Sequence, residues 1–325
     1  MILSENLLRQ TRLRFPRFEQ AQVTITPIEK GGSGRKFYRI QFSPEQSIVL
    51  VKYSREQEEN ERFVAIARFL DAQEIRAPRI HFHDPAEGLI WMEDLGDRDL
   101  WSYREASWPA RRPLYQSALA TVAKLHRLPE TAVRQIQPHL SARFNEALYR
   151  WEQGYFLEHC LGRHFGIDGK TLRELAALPA LKKIASGLAK FPRVLVHRDF
   201  QSQNLIIREG EAYLIDFQGM RPGLAEYDVA SLLYDPYVCL TSEEREELLG
   251  YYRAENPTSD DAFTEKLRLC AMQRLMQALG AYGYLGLAQG KSAFLAHIPA
   301  ALYSLGGIVA QIDGLEKLDT LLRSL

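Results

Sequence analysis

The chain has 325 residues, of which 46% are apolar and 25% are charged. This composition is ordinary for a globular protein, and the length is sufficient for two lobes with hydrophobic cores. Lysine and arginine together number 41, as do aspartate and glutamate, so no net charge would draw the protein to nucleic acid or to an anionic membrane. We therefore expect neither kind of partner.

The cysteines and apolar runs indicate the compartment. The three cysteines lie far apart and form no CxxC pair, which argues against a zinc site or a disulfide framework and suits a reducing cytoplasm. Residues 1–15 lack the apolar core of a signal peptide, and no apolar run looks long enough to cross a bilayer. The expectation is a cytoplasmic protein.

The first 95 residues have the pattern of an antiparallel sheet with helices. A short helix within residues 1–20 ends near Pro16, and a second runs from Gln57 to Ala72 with apolar residues at helical spacing. The segments with strand character are Val23–Ile28, Phe37–Phe42, Ser47–Tyr53, Arg79–His83 and Leu89–Glu93.

A glycine-rich turn between the first two strands and a lysine on the third suggest a nucleotide site. Gly32, Ser33 and Gly34 would let backbone N–H groups approach a phosphate, although an ordinary hairpin turn is equally compatible with them. Lys52 ends the third strand, where its ammonium group either reaches phosphate or extends to solvent.

From Leu100 onward the pattern is mostly helical. The predicted helices begin at Pro113, span Phe144–Leu161 and Thr171–Lys190, open again at Glu226, and fill residues 241–325.

The stretch from Val194 to Asp216 interrupts the helices and carries the strongest functional signal. Two apolar runs around Gly210 predict a hairpin, with Asn204 and Asp216 facing each other at its open end. An amide oxygen and a carboxylate are ligands suited to Mg²⁺. Asp199 lies in the loop just before them, and a loop Asp with such a pair is the apparatus of phosphoryl transfer. Taken singly, each residue has a simpler explanation, as a turn former, a helix cap or a buried histidine.

Two short motifs in this stretch carry a family resemblance. They are His197-Arg198-Asp199-Phe200 with Asn204, and Ile215-Asp216-Phe217-Gln218. From about Gly31 to its C-terminus, the chain resembles the aminoglycoside phosphotransferase and choline kinase superfamily, which shares the protein-kinase fold.

Further stretches resemble one branch of that superfamily, the bacterial kinases that phosphorylate the C1 hydroxyl of N-acetylmuramate and N-acetylglucosamine in cell-wall sugar recycling. They are Glu93–Asp97, Tyr227–Pro236, and Gln273-Arg274 leading to Gly290-Lys291. The chain departs from the branch at Gly219-Met220-Arg221, where Asp-Ala is usual, and at Lys52, which the branch often lacks.

The resemblance implies an α+β fold with two lobes, an N-terminal antiparallel sheet lobe with one main helix in residues 1–95 and a mostly helical lobe in residues 96–325. ATP would lie between them. Glu59 would pair with Lys52, and Glu61 is an alternative partner. The remaining alternative is that these acids are solvated at the surface and neither pairs with Lys52. The backbone of Glu93 and Leu95 would contact adenine.

The resemblance also implies roles for the catalytic stretch. Asp199 would orient the acceptor hydroxyl and take its proton, while Asn204 and Asp216 would hold Mg²⁺. Residues implied to support the loop or to bind the sugar are His197 and Asp228, and Gln201, Gln203 and Arg198. The alternatives are that Asp228 caps the helix and that Arg198 is a surface residue. Other hydroxyl acceptors (an aminoglycoside, an amino alcohol or a protein side chain) and a non-catalytic nucleotide-binding scaffold stay open, as do the preferred nucleotide and the oligomeric state.

Overall fold

The computed structural model describes residues 2–18, 22–28, 35–54, 59–257 and 262–325. The strands of the described chain are β1 (Thr24–Ile28), β2 (Lys36–Ser43), β3 (Gln46–Lys52), β4 (Ile80–Asp84), β5 (Leu89–Glu93), β6 (Val194–Val196), β7 (Leu205–Arg208), β8 (Glu211–Leu214) and β9 (Arg221–Gly223). The first five form one antiparallel sheet in the order β1-β2-β3-β5-β4, and the others form the ribbons β6-β9 and β7-β8.

Apart from the first two, the helices of the described chain come after the five sheet strands in sequence order. They are α1 (Ile2–Arg14), α2 (Glu59–Ala72), α3 (Trp108–His126), α4 (Glu130–Ile136), α5 (Glu146–Tyr155), α6 (Gly169–Ala176), α7 (Pro179–Leu188), α8 (Ala225–Leu233), α9 (Ser242–Glu255), α10 (Phe263–Gly283), α11 (Ile298–Val309) and α12 (Glu316–Ser324). The predicted α+β fold, a sheet lobe followed by a mostly helical lobe, is confirmed. The five strands predicted for the sheet lie within one residue of their predicted bounds.

The sheet is covered on both faces because successive side chains of a strand point to opposite sides. On one face, Trp91 packs with Leu7 of α1, and its indole Nε1 donates a 2.9 Å hydrogen bond to Thr11 Oγ1. On the other face, Val49 and its neighbours pack against the apolar stripe of α2, which includes Phe63. The central strands are therefore buried on both sides.

Two prolines change the predicted helix boundaries. α3 begins at Trp108, so the prediction that it begins at Pro113 is wrong. Pro109 occupies the first turn, where its missing N–H costs nothing, and Pro113 lies inside the helix. The helix predicted over Thr171–Lys190 is divided into α6 and α7, because Pro179 forces Leu178 out of the helical region, to a ψ of 123°.

The helix predicted over Phe144–Leu161 changes type part of the way along. α5 begins after Asn145, whose side chain accepts a hydrogen bond from Leu148 N–H, and the chain from Phe156 to His164 is a π-helix. Opposite this region, Gly280 of α10 allows close packing, since a Cβ there would lie 2.6 Å from the ring of Tyr155. α10 is thereby brought against α5 and the following π-helix.

One stretch of the described chain, Ser292–Val309, has the length and apolar composition of a membrane span, with a mean hydropathy of 1.4, and 28% of it is buried. By length and composition, this stretch contradicts the prediction that no apolar run is long enough to cross a bilayer. Length and composition are weak evidence for a membrane span here, because the α-helical part of the stretch, α11, has 12 residues. At 1.5 Å per residue it is about 18 Å long, against about 30 Å for a hydrocarbon core.

Candidate active site

The central loop of the candidate site connects β6 to β7 and is followed by the predicted hairpin. β7 and β8 are joined by Glu209 and Gly210, which both have positive φ (54° and 82°), as the tight turn of a two-residue hairpin requires. The register differs by one residue from the prediction. Ile215 N–H donates to Asn204 O at 3.0 Å, so Asn204 lies opposite Ile215 and not opposite Asp216.

Asp199 lies between two guanidinium groups. Its Oδ1 is 3.2 Å from Nη1 of Arg274, and its Oδ2 is 3.5 Å from Nη1 of Arg198. Burial raises the pKa of the Asp199 carboxyl, but the charges of Arg198 and Arg274 outweigh burial, so the pKa is lowered overall. About 25% of the Asp199 side chain remains exposed. The carboxylate is therefore ionised and accessible.

Asn204 is oriented by the same loop. Its Nδ2 donates a 2.9 Å hydrogen bond to the carbonyl oxygen of Asp199, which leaves Oδ1 available to another partner. Asp216 follows in the left-handed conformation (φ 59°), and its Oδ1 accepts a 2.5 Å hydrogen bond from Gln218 Nε2. An amide oxygen and a carboxylate on adjacent parts of one hairpin fit the oxygen preference of Mg²⁺.

The side chain of Asp228, on α8, holds the loop through hydrogen bonds from the loop backbone. Its Oδ2 accepts a 2.7 Å hydrogen bond from His197 N–H, and its Oδ1 accepts a 2.8 Å hydrogen bond from Arg198 N–H. Arg198 has a φ of 78°, which is costly for a residue other than glycine, and these hydrogen bonds help to hold it there. His197 is buried, and its Nε2 lies 2.9 Å from Ile215 O, which joins the loop to the hairpin.

Asp228 also belongs to a buried polar chain. His126 Nε2 lies 3.1 Å from Asp228 Oδ2, and His126 Nδ1 lies 2.7 Å from the hydroxyl of Tyr252. That hydroxyl accepts a hydrogen bond from Asn256 Nδ2 at 2.8 Å. If His126 carries its proton on Nε2, every member of the chain has a partner. Helices α3, α8 and α9 are thereby tied to the back of the loop.

Asp235 and Arg274 fix the other side of the loop. Both lie in the motifs that carry the family resemblance, but no role at the site was predicted for them. Asp235 accepts hydrogen bonds from Ser202 N–H and Oγ at 2.8 and 2.6 Å. Arg274 donates through Nη2 to Gln201 Oε1 at 2.9 Å and is 8% exposed. The signal for Arg274 was available, because a buried charge in an apolar helix needs a partner, but its partner was not readable from sequence.

The residues predicted to bind the acceptor lie near this loop. Arg198 and Gln201 are linked to Asp199 directly or through Arg274. Gln203 is half-buried in the short turn Ser202–Asn204 that precedes β7. Their roles stay predictions.

The residues predicted to bind the nucleotide lie on the sheet side. Lys52 is the last residue of β3, paired in register with Leu89 of β5. Gly32, Ser33 and Gly34 lie outside the described residues. Glu59 begins α2, but its side chain and that of Glu61 also lie outside what the structure describes.

The segment after β5 is anchored to both parts of the molecule. Glu93 Oε1 accepts a 2.9 Å hydrogen bond from Arg208 Nη1 of β7, and Leu95 is buried. Arg39 of β2 holds both Asp94 and Asp97, donating from Nε to Asp94 at 2.6 Å and from Nη1 to Asp97 at 2.7 Å. The segment is thus held in place between the sheet and the helical part. The lobe boundary at residue 95 and the adenine contacts of Glu93 and Leu95 stay predictions.

Curated relatives with a common name match most of the chain. The chain is 28% identical over 311 residues to an N-acetylmuramate/N-acetylglucosamine kinase of Pseudomonas aeruginosa, covering 93% of this chain and 88% of that protein. It is 29% identical over 248 residues to a kinase of the same name from Caulobacter vibrioides, covering 73% of this chain and 67% of that protein.

Solved structures show the same fold at low sequence identity. An ADP-bound aminoglycoside phosphotransferase, APH(2'')-Ib, aligns with a TM-score of 0.61 at 16% identity over 91% of this chain and 98% of its own. A choline kinase of Cryptosporidium parvum aligns with a TM-score of 0.64 at 13% identity over 98% of this chain and 99% of its own. These likenesses establish the fold alone.

The resemblance seen in the sequence motifs is confirmed by a match to a family model. The model, described as a phosphotransferase enzyme family, covers residues 24–263, and so includes both the sheet and the loop around Asp199. The enzyme is a phosphotransferase with an alcohol group as acceptor, and the chain belongs to the phosphotransferase enzyme family.

Proposed function

We propose that this chain is a Mg²⁺- and ATP-dependent kinase that phosphorylates the anomeric hydroxyl of N-acetylmuramate or N-acetylglucosamine. The proposal is supported chiefly by the loop after β6. There Asn204 Nδ2 donates a hydrogen bond to the backbone carbonyl oxygen of Asp199, and the Asp199 carboxylate is ionised and accessible. The names of the curated relatives support the choice of sugar. The ADP in the structural neighbour supports an adenine nucleotide.

The nucleotide would be held from the sheet side and the metal from the hairpin. Lys52 would contact phosphate oxygens, and the backbone of Glu93 and Leu95 would contact adenine. Asn204 Oδ1 and the Asp216 carboxylate would hold Mg²⁺, which supplies charge neutralisation of the transferring phosphoryl group.

Asp199 would orient the acceptor hydroxyl. Because its pKa is lowered, it is a weak base, and it accepts the hydroxyl proton only as the oxygen–phosphorus bond forms. Its main contribution before that point is to hold the hydroxyl oxygen in line with the phosphorus atom.

The charges around Asp199 weigh against cationic acceptors such as aminoglycosides and amino alcohols. Arg198 and Arg274 flank the carboxylate, and a positively charged acceptor would have to approach these guanidinium groups. Like charges brought together in a partly buried site repel strongly. A neutral or anionic sugar does not meet this repulsion.

The test is ADP release by the purified protein with Mg-ATP and a panel of N-acetylglucosamine, N-acetylmuramate, glucose, choline and kanamycin. The proposal expects turnover with at least one of the two N-acetylated sugars and much less with choline and kanamycin. If choline or kanamycin were phosphorylated and neither N-acetylated sugar were, the proposed acceptor would be wrong, and the assignment as a phosphotransferase would stand.

A further inference from the structure

Two arginines beside Asp199 have hydrogen-bonding capacity that the protein does not use. The guanidinium of Arg198 makes no side-chain hydrogen bond within the described part of the chain, and its ion pair with Asp199 is long, at 3.5 Å. About 24% of the Arg198 side chain is exposed. A guanidinium carries five N–H donors, so Arg198 can bind a further acceptor without leaving Asp199.

Arg221 is the second of these arginines. It lies on β9 opposite Val196, the last residue before the loop, and its Nε donates to Gly219 O at 3.2 Å. Its guanidinium lies over the ring of Phe144, 5.4 Å from the centroid. No carboxylate of the described residues lies within ion-pair distance of Arg221, although the side chain is partly buried. A partly buried cation without a counter-ion favours an anionic ligand.

Gly219 lies against Arg198 and Asp199. A Cβ at this position would lie 3.6 Å from Arg198 Nη1 and 3.8 Å from Asp199 Oδ2, so the absent side chain leaves room against both groups. A ligand atom entering there would contact Arg198 and Asp199 together.

The local charge favours an anion as well. The positive charges of Arg198, Arg221 and Arg274 interact with two carboxyl groups, those of Asp199 and Glu152. Glu152 accepts a 2.7 Å hydrogen bond from the hydroxyl of Tyr227. Burial raises the pKa of Glu152 to about 7, so near neutral pH this carboxyl is only partly ionised. The guanidinium charges are consequently in excess.

We propose that Arg198 and Arg221, with the buried charge of Arg274 behind Asp199 adding to their field, form an anion subsite beside Asp199 that binds the carboxylate of the acceptor sugar. The inference rests on the proposed function and deepens it. Of the two sugars named there, N-acetylmuramate carries a carboxylate on its lactyl group and N-acetylglucosamine does not, so the subsite selects the acidic sugar. Arg274 lies on α10 and Arg221 on β9, both in the mostly helical part of the chain, whereas Lys52 lies on β3 of the five-stranded sheet.

The test compares N-acetylmuramate with its carboxamide, which has nearly the same shape and no charge, as acceptors of the full-length protein with Mg-ATP. A charge-assisted hydrogen bond contributes enough for kcat/KM to favour the acid by about 10- to 100-fold. The substitution Arg221→Met should lower this acid-to-amide ratio by about tenfold, and Arg221→Lys should retain part of it. The matched control is Arg134→Met, which removes a 74% exposed arginine paired with Glu130 on α4 and should keep the wild-type ratio.

The outcomes separate the subsite from the function. Equal kcat/KM for the acid and the amide in the wild-type protein overturns the subsite and leaves the sugar kinase standing. So does an unchanged ratio in both Arg221→Met and Arg198→Met, or an effect of these substitutions on KM for ATP alone. If neither N-acetylmuramate nor N-acetylglucosamine is phosphorylated, the proposed function and the subsite both fall.

Discussion

Asp199 combines a lowered pKa with access to solvent, and this combination distinguishes it from the buried aspartates that surround the loop. Asp228 and Asp235 are almost completely buried, and their carboxylate oxygens accept hydrogen bonds from backbone N–H groups. Among the described residues, the Asp199 side chain has only ion pairs to arginine, and about 25% of it is exposed. An acid with this freedom is suited to bind a substrate hydroxyl, whereas the other two are suited to hold the loop.

The substitution Asp199→Asn should lower kcat by about 10²–10⁴-fold, the usual contribution of a positioned base. The affinity for ATP should change little, because the proposed role of Asp199 is to bind the acceptor hydroxyl, whereas the nucleotide is proposed to be held from the sheet side. Steady-state kinetics and calorimetric titration with a non-hydrolysable nucleotide measure the two effects. Asp71→Asn on the exposed side of α2 is the control. A loss of less than tenfold in kcat would mean that Asp199 is only structural.

The substitution Asp228→Asn should reduce both stability and kcat. The carboxylate accepts hydrogen bonds from two backbone N–H groups and lies against His126, and an amide must turn an NH₂ group toward at least one of these donors. An unsatisfied buried donor costs about 1–3 kcal/mol of unfolding free energy. Denaturant titration measures this loss.

The control for Asp228 is Asp168→Asn. Asp168 caps α6 from an exposed position, and asparagine is an equally good cap, so its unfolding free energy should stay within about 0.5 kcal/mol of the wild type. Equal stability of the two variants would show that the hydrogen bonds of Asp228 contribute nothing.

Among the secondary-structure elements, those that local sequence patterns determine were predicted correctly. The sheet strands and α2 follow from apolar runs and helical spacing, and they appear within one or two residues of their predicted bounds. Pro113 was misread because Pro109 fits the first turn equally well. The one-residue error at Asn204 arose because a hairpin register depends on the turn residues, and Glu209 takes a positive φ together with Gly210.

The packing of α5 against α8 and α10 predicts a dependence of stability on pH. Glu152 of α5 has its pKa raised from 4.5 to about 7, first by burial, so the folded protein holds this proton more tightly than the unfolded chain. The unfolding free energy should therefore fall as the pH rises from about 4.5 to 7, by about 1–3 kcal/mol from this group.

The substitution Glu152→Gln should remove that decrease. Denaturant titrations at pH 5.5 and 8 should show the variant gaining stability relative to the wild type at the higher pH. Glu105→Gln, at an 86% exposed position, is the control and should follow the wild-type dependence on pH. A Glu152→Gln variant with an unchanged dependence on pH would contradict a protonated Glu152.

At the scale of the whole molecule, the site joins residues that are far apart in the sequence. Asp199 and Asn204 were predictable because one loop carries both of them with a diagnostic spacing. Arg274 was not predictable as their neighbour, because it lies on α10 and reaches the loop only through the packing of the helical part. Local motifs thus predicted the chemistry, and the tertiary fold supplies the charges around it.

Phosphorus NMR of the product formed from Mg-ATP and N-acetylmuramate or N-acetylglucosamine tests directly whether this protein phosphorylates the anomeric hydroxyl. We expect a sugar phosphate whose phosphorus couples to the anomeric proton, formed by the wild-type protein and almost absent with Asp199→Asn. A phosphate on another hydroxyl would contradict the anomeric assignment. Equal product formation by Asp199→Asn would contradict the active site described around that residue.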